Sequence, residues 1–305
     1  MIISSMKSYL KKEYHEGCLR FLSSLLGCIL TFYIWNYGNM DVILVNESLI
    51  LIFSLLFPNK HDDMFFSAAL AGMSSKYLLP NPGFVFLLAT FVFIIFGLIK
   101  KIFVGYGGKY GTIGFFGNLL AVFCSYLNQD CEYPLYDFEY YKMLNWKIYV
   151  FGPLVCGVSG FLCYIYHKYF GLTKHVACTV NGLLDSLLLL LIQERPEYDG
   201  LSFSLTYGEI FNFFQHIGLL AGLNNEAMVS SSNLTDKKEI LGKHFFFIGF
   251  LAGWIYIAVM PFFIVGGKNG LMAFLASNIY IRSLRLWSKL PCFNKNQNNH
   301  KEIKK

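Results

Sequence analysis

The sequence predicts an all-α, polytopic membrane bundle of about ten segments, eight to ten of them full spans. Three observations carry this expectation: the composition, the spacing of the apolar runs, and a glycine–lysine motif that occurs twice. Of the 305 residues, 55% are hydrophobic and only 14% are charged, against about 25% charged in an average soluble domain. Mean hydropathy is +0.47. The 31 Phe and 20 Tyr suit lipid contact and the aromatic belts at the membrane interfaces.

A helix needs about 20 largely apolar residues to cross the hydrocarbon core. On that criterion the candidate segments of the first half are Gly17–Asn36, Val42–Phe57, Met64–Ser75, Gly83–Ile99 and Tyr110–Leu127. Those of the second half are Lys147–His167, Val176–Ile192, Leu205–Leu223, His244–Ile264 and Gly270–Leu286. The third and eighth are the weakest. Met64–Ser75 is too short to span upright, and Leu205–Leu223 carries Glu209, Asn212, Gln215 and His216. Short or polar segments of this kind suit re-entrant or broken helices. The expected organisation is residues 1–15 as a cytoplasmic N-terminal segment, 16–128 as a first membrane repeat, 129–146 as an extracytoplasmic acidic loop, 147–288 as a second repeat, and 289–305 as a basic cytoplasmic tail. Lys7, Lys11 and Lys12 precede the first apolar run. No small-residue cleavage pattern follows that run, so it reads as a retained span.

The halves share motifs. Gly107-Gly108-Lys109-Tyr110-Gly111-Thr112-Ile113-Gly114-Phe115 matches Gly266-Gly267-Lys268-Asn269-Gly270-Leu271-Met272-Ala273-Phe274. Phe65-Phe66 followed by Leu70-Ala71-Gly72 matches Phe213-Phe214 followed by Leu220-Ala221-Gly222. Asn46 in the second segment stands against Asn181 in the seventh. The order is the same in both halves, which predicts a 5+5 internal repeat. Five spans per repeat is odd, so the second repeat enters the membrane inverted, an architecture common among secondary transporters. Charge agrees with that topology. Lys60, Lys100, Lys101, Lys109, Lys168, Lys174 and the basic tail fall inside, and the acidic segments Asp130–Trp146 and Gln193–Ser204 fall outside, as basic-inside bias requires.

The net charge of +6 lies in short loops and at the termini, which excludes a nucleic-acid surface and suits anionic head groups. The eight Cys lie mostly in apolar runs and form no CxxC, so neither a disulfide framework nor a zinc site is expected. Gly108-Lys109 is followed by Tyr110, and Phe103 stands where a phosphate-binding loop needs its first Gly. No cofactor, no metal and no catalytic constellation is expected, because no Ser-His-Asp order or H-E-x-x-H motif occurs.

The candidate substrate- or ion-binding residues are Asp185, Glu47, Asn46, Asn181, Gly107, Gly108, Lys109, Gly266, Gly267 and Lys268. Asp185 lies midway along an apolar run, where an ionised carboxylate must face a cavity or a partner. Glu47 lies near the start of its span, where an interfacial place is expected. Each GGK turn opens a helix, where glycine frees the backbone and the helix N-terminus and lysine favour an anionic group. His216 and His244 with Glu209 fit no metal spacing. Gly152, Gly157 and Gly160, and the GxxxG pair Gly249 and Gly253, predict close helix contacts inside the chain or at a homodimer face. Three functions follow as expectations. The first is a transporter or channel for a small solute or ion, with its site between the repeats. The second is a membrane scaffold or assembly protein, and the third a lipid-modifying enzyme. The expected partners are the bilayer and an unidentified solute, with both termini cytoplasmic.

Overall fold

The computed structural model describes residues 2–38, 40–57, 62–102, 106–128, 146–192, 207–222, 240–259 and 266–287. Among these, ten α-helices follow in order: α1 (Ile2–Gly38), α2 (Val42–Leu56), α3 (Asp62–Gly72), α4 (Pro82–Ile99), α5 (Lys109–Leu127), α6 (Trp146–Tyr169), α7 (Lys174–Ile192), α8 (Tyr207–Gly222), α9 (Ile240–Val259) and α10 (Lys268–Trp287). The expected acidic loop, except Trp146, and the basic tail lie outside the described residues.

Local chemistry sets several helix starts. The Asp41 carboxylate accepts from the backbone N–H of Ile43 (3.0 Å) and Leu44 (2.8 Å) and so caps α2. Asn81 caps α4 through Gly83 N–H at 2.8 Å, with Pro82 in the first helical position. These bonds satisfy donors that a helix start leaves open. α5 and α10 start differently: each follows a glycine in the left-handed region, Gly108 at φ 75° and Gly267 at φ 81°. That conformation carries no Cβ penalty for glycine.

Four helical stretches are long and apolar enough to cross a membrane: Tyr14–Gly38, Pro82–Ile99, Lys109–Leu127 and Ile148–Tyr169. Val42–Leu56, Phe213–Gly222 and Lys243–Val259 are apolar but shorter. Side-chain distribution fits the same solvent. Phe116, Leu120, Phe123 and Leu127 on α5, and Phe151, Leu154, Val158 and Phe161 on α6, are exposed at three- and four-residue spacing. Such spacing lines one helix face. Meanwhile Asn46, Glu47, Asn118, Thr179, Asn181 and His216 are buried. Large apolar stripes outside and polar groups inside suit a protein whose solvent is lipid.

The helices pack in two sets. α1 contacts α3 and α4, α3 contacts α4 and α5, and α4 contacts α5. In the second set α6 contacts α8 and α9, α8 contacts α9 and α10, and α9 contacts α10. The principal contacts between the sets are α2 with α7 and α5 with α10. Small residues bring the backbones together. A methyl on Gly72 would lie 2.7 Å from the Cys28 carbonyl oxygen, and one on Gly222 would lie 2.5 Å from that of Gly160. The GxxxG pair is spent inside the chain. Methyl groups there would meet α6, at 2.3 Å from the Cys156 carbonyl for Gly249 and 2.6 Å from Pro153 Cα for Gly253.

Candidate functional site

The two GGK turns meet each other. A methyl on Gly108 would lie 2.2 Å from the Gly270 carbonyl oxygen and 2.4 Å from Phe274 N. A methyl on Gly267 would lie 2.4 Å from Phe115 N and 2.5 Å from the Gly111 carbonyl oxygen. Between them, methyl groups on Gly111 and Gly270 would reach the other's Cα at 2.5 and 2.3 Å. Motif position by motif position, the contacts are reciprocal, as across a two-fold axis. They also run in opposite senses: the start of α5 lies against residues 270–274, and residues 111–115 lie against the start of α10. The first turns of α5 and α10 are therefore antiparallel, with their backbones in direct contact at Gly111 and Gly270.

The lysines of these turns are nearly buried. Lys109 Nζ donates to the Lys100 carbonyl and stands 5.9 Å from the Tyr110 ring centroid. Lys268 Nζ stands 5.1 Å from the Tyr256 ring centroid, within cation–π range. Gly107 and Gly266 are buried beside them. Ser74, just past α3, ties the turns to the rest of the fold. Its hydroxyl accepts from Gly266 N–H at 3.0 Å and from the Asn118 amide. The same amide donates to the Ala71 carbonyl at 2.8 Å.

The second meeting of the two sets, α2 with α7, holds an acid. Glu47 is wholly buried. Gly182 on α7 and His216 on α8 both reach Glu47, so a residue early on α2 is enclosed. Gly182 on α7 provides the room: a methyl there would lie 2.9 Å from Glu47 Cγ and 3.1 Å from Cδ. The Asn46 amide donates to Glu47 Oε1 at 3.1 Å. From the other set, His216 on α8 brings Nε2 to 2.9 Å from the same Oε1, both side chains having no exposure. The contact lies off the line of a hydrogen bond, so it is electrostatic in character. On its far side His216 Nδ1 meets the Asn269 amide at 3.0 Å. Asn269 directly follows the Lys268 of the second GGK turn.

A chain of polar groups, Asn46, Glu47, His216 and Asn269, therefore runs between the two crossings. Several of its atoms are buried without a hydrogen-bond partner: Glu47 Oε2, Asn46 Oδ1, and Nδ2 of neighbouring Asn181. Leaving such groups unpaired costs about 1–3 kcal/mol each, and more for a charge. The corresponding place in the first set is aromatic. Tyr110 holds Asn269's place in the motif, and it packs against Phe66 of α3. Their ring centroids are 6.0 Å apart.

A second acid–imidazole group lies at the start of α3. His175 Nε2 is 2.8 Å from Asp63 Oδ1 and 3.9 Å from Asp62 Oδ2. The His175 ring lies 4.7 Å from that of Phe66 and 5.6 Å from that of Tyr110.

Of the residues expected from sequence, Glu47, Asn46 and Asn181 come together at the α2–α7 crossing. The GGK residues come together at the α5–α10 crossing, where Lys109 and Lys268 diverge toward separate partners. Asp185 lies on α7, but its side chain is outside the described residues. Sequence reasoning missed His216 as Glu47's partner and missed the Asp62–Asp63–His175 group. His216 was weighed against Glu209 and His244, whereas its partner lies in the other set, and His244 instead meets the Tyr280 hydroxyl at 2.8 Å. A histidine inside an apolar segment was the available signal, since such a residue must find a partner. No protein-family model matches this chain, and neither the curated proteins nor the solved structures yield a significant match to it.

Proposed function

We propose that this protein is a membrane transporter or channel for a small solute or ion, built from two five-helix repeats of inverted topology, with its site between them at Glu47 and His216. The observation that carries the proposal is the buried carboxylate–imidazole contact joining α2 of one set to α8 of the other. Ionisable groups in a membrane interior are costly and mark pathways for ions and protons. Here the contact is bordered by unpaired polar atoms that a passing solute would satisfy. The inverted repeat is supported by the matched motifs, by the like packing of the two sets, and by the antiparallel, reciprocal meeting of α5 with α10.

The chemistry follows from charge. The Glu47–His216 pair is net neutral both as carboxylate with imidazolium and as carboxylic acid with imidazole. A cation entering beside Glu47 is then accommodated most cheaply if a proton leaves, because a net charge in an apolar interior is expensive. This favours cation–proton exchange or a proton-gated path.

The test is purified protein in liposomes carrying an internal pH dye and an imposed cation gradient. Flux that is present in the wild type and absent in Glu47→Gln, with both proteins incorporated equally, supports the proposal. A silent wild type, or flux untouched by Glu47→Gln, overturns it in favour of a scaffold. Inversion has its own test: a tag inserted near Asp137 and a tag at the C-terminus are expected on opposite faces of the membrane.

A further inference from the structure

We propose that Asp62, Asp63 and His175 form a binding site for one divalent first-row transition ion. One ligand atom from each residue lies within 4.8 Å of the others. The donors come from two elements far apart in sequence, α3 and the start of α7, so the fold has gathered them. The geometry poses a problem that a proton does not solve. Two adjacent carboxylates converge on one imidazole nitrogen, and the single proton on Nε2 bonds Asp63 at 2.8 Å while Asp62 stays at 3.9 Å. A doubly charged ion in place of that proton serves both carboxylates and removes their mutual repulsion. Ligands held 2.0–2.2 Å from one metal lie roughly 3 Å apart, so Asp63 is already placed and Asp62 needs a shift of roughly an ångström.

The surroundings fit a held ligand set. The His175 side chain is only 7% exposed. The ring is packed by Phe66 and Tyr110 and faces the carboxylates. Tyr110 also bonds Asp63 through its side chain, orienting that carboxylate from outside the site. Lys109 lies close enough to act on Asp63, yet its ammonium is turned to the Lys100 carbonyl, leaving the group net acidic. Asp63 is 47% exposed, which provides an entry path. One imidazole with two carboxylates suits Zn²⁺, Mn²⁺, Fe²⁺ or Co²⁺ better than Mg²⁺ or Ca²⁺, which take oxygen shells. A bound ion would tie α3 to α7, one helix from each set.

The test uses the full chain in detergent micelles, purified on a tag without histidine. Zn²⁺ and Mn²⁺ are titrated by calorimetry with Mg²⁺ as control, and the melting temperature is followed alongside. Saturable binding of one ion per chain, a raised melting temperature, and affinity reduced at least tenfold in both His175→Gln and Asp62→Asn are expected. Glu16→Gln, which removes a carboxylate on α1 outside both sites, is expected to bind normally. Asp62 is only partly buried, so Asp62→Asn keeps the test valid if His175→Gln fails to fold. Absence of saturable Zn²⁺ and Mn²⁺ binding to the wild type overturns the proposal, as does equal binding by Asp62→Asn.

Discussion

The two sets of helices meet at two crossings of opposite character. Where α5 meets α10, glycine faces glycine and the backbones touch. Where α2 meets α7, glycine faces a buried acid. At the first crossing the facing atoms are backbone, and its two lysines turn to separate partners, the Lys100 carbonyl and the Tyr256 ring. The second has room for a flexible charged side chain because Gly182 withdraws from it. The difference separates a close-packed junction from a crossing that places an ionisable group between the sets.

The largest effect is expected at the junction. Gly108→Ala would force a non-glycine residue to φ 75° and set its methyl 2.2 Å from the Gly270 carbonyl oxygen. Gly111→Val would drive a branched side chain into the Gly270 backbone. Strain and overpacking together should cost about 3 kcal/mol or more, a large part of the stability of an ordinary domain. The expected outcome is loss of the monodisperse peak in detergent size-exclusion chromatography. A stable, flux-competent Gly111→Val protein would mean that the crossing is loose, and the comparison would fail.

Next comes the acid–imidazole pair. Removing one partner of a buried ion pair costs about 3–5 kcal/mol, whereas replacing both with apolar residues of similar volume is often neutral. Glu47→Met and His216→Phe singly should each lower the melting temperature, and the double variant should recover much of the loss. Stability should return in the double variant, but flux should not. Recovery of both would show that the pair serves packing alone.

Much of this architecture was legible in the sequence, and the reason is physical. Apolar runs report helices that must satisfy their backbone within lipid, so the ten segments were readable from composition. The GGK turns were readable because left-handed backbone and methyl-free contact restrict a position to glycine, and the same need recurs in both halves. The partners of buried charges were not readable. Glu47 lies within two turns of the start of α2, and only the covering helices α7 and α8 decide that it is interior. His216 and His175 find carboxylates across the interface between the sets, and no local spacing encodes such a meeting. The surroundings of the two GGK lysines were not readable either: Lys109 and Lys268 leave matched turns but meet different partners, a backbone carbonyl for one and the Tyr256 ring for the other.

The smallest expected effect on stability is the sharpest probe of the comparison. In Gly182→Ala the added methyl would lie 2.9 Å from Glu47 Cγ and 3.4 Å from Oε2. Those atoms belong to a side chain that can turn aside, unlike the backbone that obstructs the glycines at the other crossing. Alanine is also the better helix former, by about 0.8–1 kcal/mol, which offsets part of the crowding. The melting temperature should therefore move little, while the carboxylate is pushed from His216 and flux changes several-fold. A second substitution, His216→Gln, should then have less effect on flux than it has in the wild type, because the contact it removes is already weakened. If Gly182→Ala leaves flux unchanged, Glu47 is not positioned by this crossing, and the room beside Gly182 is merely packing space.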